Sequence, residues 1–299
     1  MAQLTSPVEV SLKNILVATD FSSASFAALR RVVPIARQFN SVVHIVHVLH
    51  LREIPPTDEA IRQQARMHAQ RELEVLATVS GTVPHRTWLR EVREGEVWEA
   101  VEDLVRAEHI DLVAVGSRGK SETDKFFLGS VTEEIIRTAK CPVLTIGPHM
   151  STTCGEPPAQ LLYITNFREE SHHGLQYAIR LATQYRSRLL LLHVVEQDET
   201  ERSDQEWVRT YRRTLQGLLP KFAGDFLVDP VLRVEVAKNS TARILQVADE
   251  VLADLIVMDV RPEEPWQTHL RDKVSEIISC ASCPVLTVRT KPEYDGEEE

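Results

Sequence analysis

The chain repeats itself, and this constrains its folding more than any other feature. Residues 14–21 read NILVATDF and residues 160–167 read QLLYITNF, an offset of 146 that also pairs Leu29 with Leu175, Ala36 with Ala182, His47 with His193 and Val48 with Val194. DLVAVG at 111–116 returns as DLIVMD at 254–259, and CPVLTI at 141–146 returns as CPVLTV at 283–288. The offset shrinks slightly along the chain, as short loop deletions would make it. For 299 residues, two copies of one unit are therefore expected rather than one large core. We expect a first unit over 1–149, a linker at 150–158 inside the turn-rich stretch PHMSTTCGEPPA, a second unit over 159–290 and an acidic tail at 291–299.

Within each copy short apolar runs alternate with helical spacing. In the first, ILVAT reads as a strand and residues 23–39 as a helix with Phe26, Leu29, Val32, Val33 and Ala36 on one face. VVHIVHVL is strand-like, 58–79 helical, HRTWLREV a half-buried strand, 96–108 helical, DLVAVG a buried strand, GSVTEEIIRTA a helix and PVLTIG a last strand. Continuous apolar strands joined by helices predict two tandem doubly wound α/β domains, each a five-stranded parallel sheet flanked by helices. Such sheets place ligands beyond the carboxyl ends of the strands, where the strand order reverses. That directs attention to Thr19-Asp20 and to Gly116 onward.

Charge and cysteine usage exclude some functions. With 34 basic and 44 acidic residues the net charge is −10, a poor match for nucleic acid or an anionic membrane. No run approaches the ~18 apolar residues that span a bilayer. The N-terminal MAQLTSPVEVSLKN has neither a basic nor an apolar signal-peptide region. Cys141, Cys154, Cys280 and Cys283 do not suggest a disulfide framework in a chain of this length, so a cytoplasmic location is the expectation.

After the fourth strand comes GSRGKSETDKFFLGSVTEEII, in which Gly116, Gly119 and Gly129-Ser130 follow the spacing Gly-x2-Gly-x9-Gly-Ser. Glycines let backbone approach a ligand closely, and the N–H groups of such a loop form a concave anion-binding nest. Gly129-Ser130-Val131 opens a helix whose first N–H groups carry partial positive charge, and Thr132 is placed to share the capping. Arg118, Lys120 and Lys125 add positive charge.

This loop, with the preceding DLVAVG, the following CPVLTI, the opening ILVATDFS and the HV of the second strand, resembles the ATP-binding signature of the universal stress protein family. The resemblance covers nearly the whole chain as two units. It implies the adenine nucleotide alpha hydrolase-like fold, ATP held with magnesium or manganese, and a role as a nucleotide-dependent stress-response regulator or interaction module. It places Ala18, Thr19 and Asp20 at the nucleotide pocket, with Asp20 near the nucleoside or a metal. Val48 would contact adenine through its backbone, Val115, Gly116 and Gly119 would line the ribose and phosphate region, and Gly129, Ser130 and Val131 would hold phosphates. Two other classes stay open: a slow ATPase or phosphotransferase using the same pocket, and a nucleotide-independent scaffold for a protein partner. Family members pair through the last strand. That implies pairing of the two copies within one chain, and a homodimer of such chains is a further expectation.

The second copy departs from the pattern. Asn166 replaces Asp20, Asp259 replaces Gly116, Pro262 replaces Gly119, Arg271 replaces Gly129 and Asp272 replaces Ser130. Proline offers no N–H. Asp259 and Asp272 are expected to face the phosphates, where one like-charge pair at ~5 Å costs roughly 3 kcal/mol at an effective dielectric near 20. ATP is thus expected in the first unit only.

Rival motifs are weaker. AVGSRGKS departs from a P-loop at Ala114, and SETDKFFLG follows where a P-loop starts its helix. Cys280-Ala-Ser-Cys283 has no second Cys pair, and Cys283 repeats the core position of Cys141. His44, His47 and His50 fall on alternating faces of one strand, so they do not converge on a metal.

Overall fold

The computed structural model describes residues 12–50, 59–79, 88–118, 128–149, 157–167, 173–196, 205–219, 229–260 and 268–289. Two compact units divide between residues 157 and 158.

In the first unit β1 (Asn14–Ala18), α1 (Ser23–Phe39), β2 (Val42–Leu49), α2 (Glu59–Val79), β3 (Trp88–Glu94), α3 (Val97–Ala107), β4 (Leu112–Gly116), α4 (Ser130–Thr138) and β5 (Val143–Ile146) follow in sequence. The strands lie in the order β3-β2-β1-β4-β5, and the paired strands are parallel. The second unit repeats this with β6 (Gln160–Ile164), α5 (His173–Tyr185), β7 (Arg188–Glu196), α6 (Gln205–Leu218), β8 (Val231–Ala237), α7 (Ser240–Glu250), β9 (Leu255–Val260), α8 (Thr268–Cys280) and β10 (Val285–Arg289). Its order is β8-β7-β6-β9-β10, again parallel.

The central strands are the most apolar, and Ile15, Leu16 and Val17 of β1 and Leu161, Leu162 and Tyr163 of β6 are buried. A strand covered by helices on both faces must be apolar at successive positions, which is why these runs do not alternate. α1 starts where Ser22 Oγ accepts the N–H of Ser25 at 3.2 Å and ends at Asn40 in the left-handed region (φ 53°). Pro34 sits inside α1 without ending it.

One clamp recurs in both units. Asp111 Oδ2 accepts the N–H groups of Lys13 (2.7 Å) and Asn14 (2.9 Å), and Asp254 Oδ2 accepts those of Ala159 (2.8 Å) and Gln160 (2.9 Å). Each aspartate precedes the fourth strand of its unit and ties it to the first. The register that results sets Val17 beside Ala114 and Ala18 beside Val46. In each unit the order reverses between the first and fourth strands, which fixes where a ligand site can form. Among the described residues no helix is long and apolar enough to cross a membrane.

Candidate functional site

The first unit's site grows from the end of β1. Thr19 is buried and its N–H reaches Val46 O at 2.9 Å, so the chain is still held by β2 when it turns. Thr19 Oγ1 accepts the N–H of Phe21 at 3.0 Å, Asp20 Oδ1 accepts that of Ser22 at 3.0 Å, and Phe21 takes φ 61°. A left-handed phenylalanine costs of order 1–3 kcal/mol and persists only where its surroundings enforce it. Here the enforcement comes from His47, whose Nδ1 lies 2.8 Å from the Thr19 carbonyl and whose ring centroid lies 4.4 Å from that of Phe21. A carbonyl only accepts, so Nδ1 carries the hydrogen. Asp20 thus does what a strand-end turn residue does, and it stands half-buried at the place expected for a ligand contact.

The other half of the site joins β4 to α4. Gly129 N–H donates to Ser117 O at 2.9 Å, and Thr132 Oγ1 donates to Gly116 O at 2.8 Å. Thr132 therefore does not cap α4; its hydroxyl pins the helix start to the strand end. Gly129 is the N-cap, with no side-chain cap bond, and Glu133 N–H closes the first turn onto Gly129 O at 2.9 Å. The N–H groups of Ser130, Val131 and Thr132 then have no intrahelical partner and carry the positive end of the dipole. Ser130 and Val131 are exposed, and the buried Ser117 hydroxyl has no hydrogen-bond partner among the described residues.

Gly116 has a packing reason beyond any ligand. A Cβ there would lie 2.7 Å from Ala24 C, 2.8 Å from Ala24 Cβ and 2.9 Å from Ser25 N, inside the first turn of α1. Ala18, Thr19, Asp20, Val48, Val115 and Gly116 share the carboxyl edge of β1, β2 and β4, next to Gly129, Ser130 and Val131 at the start of α4. Gly119, Lys120 and Lys125 lie outside the described residues. Sequence reasoning missed Phe21, His47 and Ser117 as parts of this site. The retention of Phe21/Phe167 and His47/His193 in both repeats was the available signal for the first two.

The strand-end turn is duplicated in the second unit. Thr165 Oγ1 accepts Phe167 N–H at 3.1 Å, Phe167 takes φ 57°, His193 Nδ1 lies 2.8 Å from Thr165 O, and the Phe167 and His193 centroids are 4.2 Å apart. The β9–α8 half differs. α8 starts at Thr268, so positions 271 and 272, which match Gly129 and Ser130, lie beyond its first three residues. Their N–H groups belong to the helix ladder and are not offered outward.

Asp259, at the Gly116 position, was expected to face phosphates. Its carboxylate is instead turned onto α5: Oδ1 accepts Gly174 N–H at 2.7 Å and Oδ2 accepts the Tyr163 hydroxyl at 2.7 Å. A Cβ on Gly174 would come within 2.8 Å of that carboxylate. The glycine has changed sides, from strand to helix, so that an acid can occupy the strand. The side chains of Arg271 and Asp272, and Pro262, lie outside the described residues.

A cavity of about 350 Å³ opens above these strand ends in the second unit, lined among others by Asp259, His193, Tyr211, Glu196, Ser240 and Lys273. Lys273 Nζ is paired with Glu196 Oε2, which also accepts the Ser240 hydroxyl at 2.9 Å. Lys273 holds the Glu196 carboxyl below the usual range. Burial pushes Asp259 up to about 6, against the opposing pull of its bonds to Tyr163 and Gly174. Burial, then the Asp259 charge, holds the Tyr163 phenol well above its ordinary value, so it stays a donor. Burial also lowers His193. Among the described residues no group of three or more His, Cys, Asp or Glu side chains is placed to hold a metal. In and just after β2, His44 is buried, His47 holds Thr19 and His50 pairs with Glu96 at 3.2 Å.

The profile of the universal stress protein family matches residues 11–147 and again 160–289. A universal stress protein of Methanocaldococcus jannaschii is 27% identical over 143 residues, covering 45% of this chain and 81% of that protein. Among solved structures, a universal stress protein of Archaeoglobus fulgidus aligns over 93% of this chain and 98% of its own, at 19% identity and a TM-score of 0.73. A protein of unknown function from Pseudomonas aeruginosa aligns over 93% of each chain at 15% identity and a TM-score of 0.59. At those identities the two structures speak to the fold alone, and they agree with the doubly wound α/β architecture.

Proposed function

The chain belongs to the universal stress protein family as a tandem of two units, and on that premise we propose that its first unit binds ATP and that the protein acts in the cytoplasm as a nucleotide-dependent stress-response regulator or interaction module. The observation that carries this reading is the junction of β4 with α4. There the bond from Gly129 N–H to Ser117 O brings a glycine-ended strand and three helix N–H groups that have no intrahelical partner to the switch point of the sheet. Phosphates are a natural occupant of such a helix start.

In this reading the N–H groups of Ser130 and Val131 and the Ser130 hydroxyl hold phosphate oxygens. Val115, Gly116 and Gly119 line the ribose and phosphate region, while Ala18, Thr19 and Val48 border the rest of the nucleoside. Asp20 is the candidate for an accompanying magnesium or manganese ion. Bound ATP would add free energy to the conformation that holds it and so bias a surface recognised by a protein partner. No side chain is assigned as a base, so any hydrolysis is slow. The second unit does not bind ATP, because the corresponding N–H groups sit inside α8 and an acid stands at the Gly116 position.

We further propose that the last strands, CPVLTI and CPVLTV, bring the two copies together within one chain, and that chains then form homodimers. Aspartate at Val143 and Leu144 should lower compactness in small-angle scattering; unchanged compactness overturns the pairing. For the nucleotide, the test is the ATP content of the purified full chain together with a titration in magnesium. One ATP per chain is expected. Two per chain overturn the assignment of the second unit, and none overturns the reading itself.

A further inference from the structure

The second unit's cavity has a chemistry of its own. We propose that it binds a small organic ammonium ion, a protonated amine on a short apolar or aromatic stem, with the charge on Asp259. The inference does not depend on ATP in the first unit.

The first observation is an under-compensated acid. Asp259 is half-buried on the cavity wall, and its two oxygens accept one hydrogen bond each, from the Tyr163 hydroxyl and from Gly174 N–H. Both donors are neutral, and each oxygen keeps capacity for another donor. No cation among the described residues lies within 4 Å of it, and a carboxylate drawn out of water without a partner charge is costly. With its acid at about 6 it is still mostly ionised at neutral pH.

The second observation is that the cavity's described cation is already committed. Lys273 pairs with Glu196, which also takes the Ser240 hydroxyl. Lys273 is therefore not available to draw in an anion, and Asp259 repels one. The third is the character of the remaining wall. His193 donates through Nδ1 to Thr165 O, and burial keeps the ring neutral, so Nε2 is an acceptor. The wall also carries the polar side chains of Thr165, Asn166 and Thr241, the apolar ones of Ile164, Val195, Met258 and Ile277, and the half-buried ring of Tyr211, an aromatic group of the kind that favours cations. Tyr211 is stacked on Phe167 at 5.6 Å and tilted on His193 at 4.8 Å. The repeat offset that aligns the starts of α2 and α6 puts Ala65 at the matching position of the first unit. Acceptors, a half-buried negative charge, an aromatic ring and apolar side chains together select a donor cation with an apolar stem.

The test is calorimetric titration of the full chain with phenethylamine, phenethyl alcohol and 3-phenylpropionate, which share a stem and differ in head charge. The amine should bind at least tenfold more tightly than the alcohol, and the acid least. Asp259→Asn, which keeps the shape and the bond from Gly174, should abolish the preference. A second readout needs no variant. At pH 6 amine binding should release about half a proton, seen as a dependence of the heat on buffer ionisation, while the alcohol releases none. Equal affinity for amine and alcohol, a preference for the acid, an unchanged preference in Asp259→Asn, or no binding by any of the three overturns the proposal.

Discussion

In the first unit the strand leading into the glycine loop ends at Gly116, packed against Ala24 and Ser25 of α1. In the second the same position is Asp259, packed against Gly174 of α5. Half of each site is otherwise the same: a threonine whose hydroxyl holds the next turn, a left-handed phenylalanine, and a histidine from the neighbouring strand bonded to the threonine carbonyl. The difference teaches that these units share a strand-end frame and differ at the junction of the fourth strand with the helix that follows it. The exchange needs more than loss of glycines. It moves a glycine onto the helix, turns an acid inward and places α8 so that the N–H groups matching those of Gly129 and Ser130 fall inside it.

The sharpest way to break this comparison is to write the second unit's residues into the first. Gly129→Arg with Ser130→Asp should weaken ATP at least a hundredfold by titration, about 2.7 kcal/mol; near-parental affinity would show that the phosphate end is not at α4. Gly116→Ala comes next. Its Cβ would meet backbone atoms of Ala24 and Ser25 at 2.7–2.9 Å, and it should cost the first unit about 2 kcal/mol in denaturant unfolding even without nucleotide. A cost seen only with ATP present would make Gly116 a ligand residue and not a packing one.

The acid that marks the second unit should make its stability pH-dependent. Folded Asp259 ionises at about 6, above its ordinary value of 3.8, so between these values the folded state holds more proton than the unfolded. Its carboxylate is a full burden above pH 6 and is relieved as pH falls through 6 toward 4. Tyr163 and the Gly174 N–H face it, with Lys273, Glu196 and His193 on the same cavity wall. Hydrogen-exchange protection of β9 should therefore fall as pH rises across that window, after correction for intrinsic exchange, and Asp259→Asn should flatten the trend. The smallest effect tests the shared half. His47→Ala and His193→Ala each remove one bond to a threonine carbonyl and should each cost about 1 kcal/mol in their own unit. Clearly unequal costs would mean that the two frames are not equivalent.

Much of this architecture was legible along the chain. The helix expected over 23–39 is α1, because Ser22 supplies its cap and Asn40 tolerates the left-handed exit. The runs ILVAT, DLVAVG and PVLTIG become strands because their apolar content fits a sheet covered twice. The gathering of Ala18, Thr19, Asp20, Val48, Val115, Gly116, Gly129, Ser130 and Val131 at one edge follows from strand order alone. The Asp259–Gly174 contact was not legible. Nothing local tells a strand-end aspartate to prefer a helix N–H 85 positions earlier over solvent or a ligand. The same holds for Thr132, whose hydroxyl seeks Gly116 O across 16 positions, where local rules favour a cap.

The repeat, the alternation of apolar strands with helices, and the glycine spacing came from sequence by itself, since periodicity and backbone freedom are properties of neighbouring residues. Which side of the contact between fourth strand and first helix carries the glycine, and where the displaced acid points, were decided only by tertiary structure. Those outcomes depend on atoms brought within 3 Å by the closing of the sheet, and at that range steric exclusion and lost hydration outweigh any local preference.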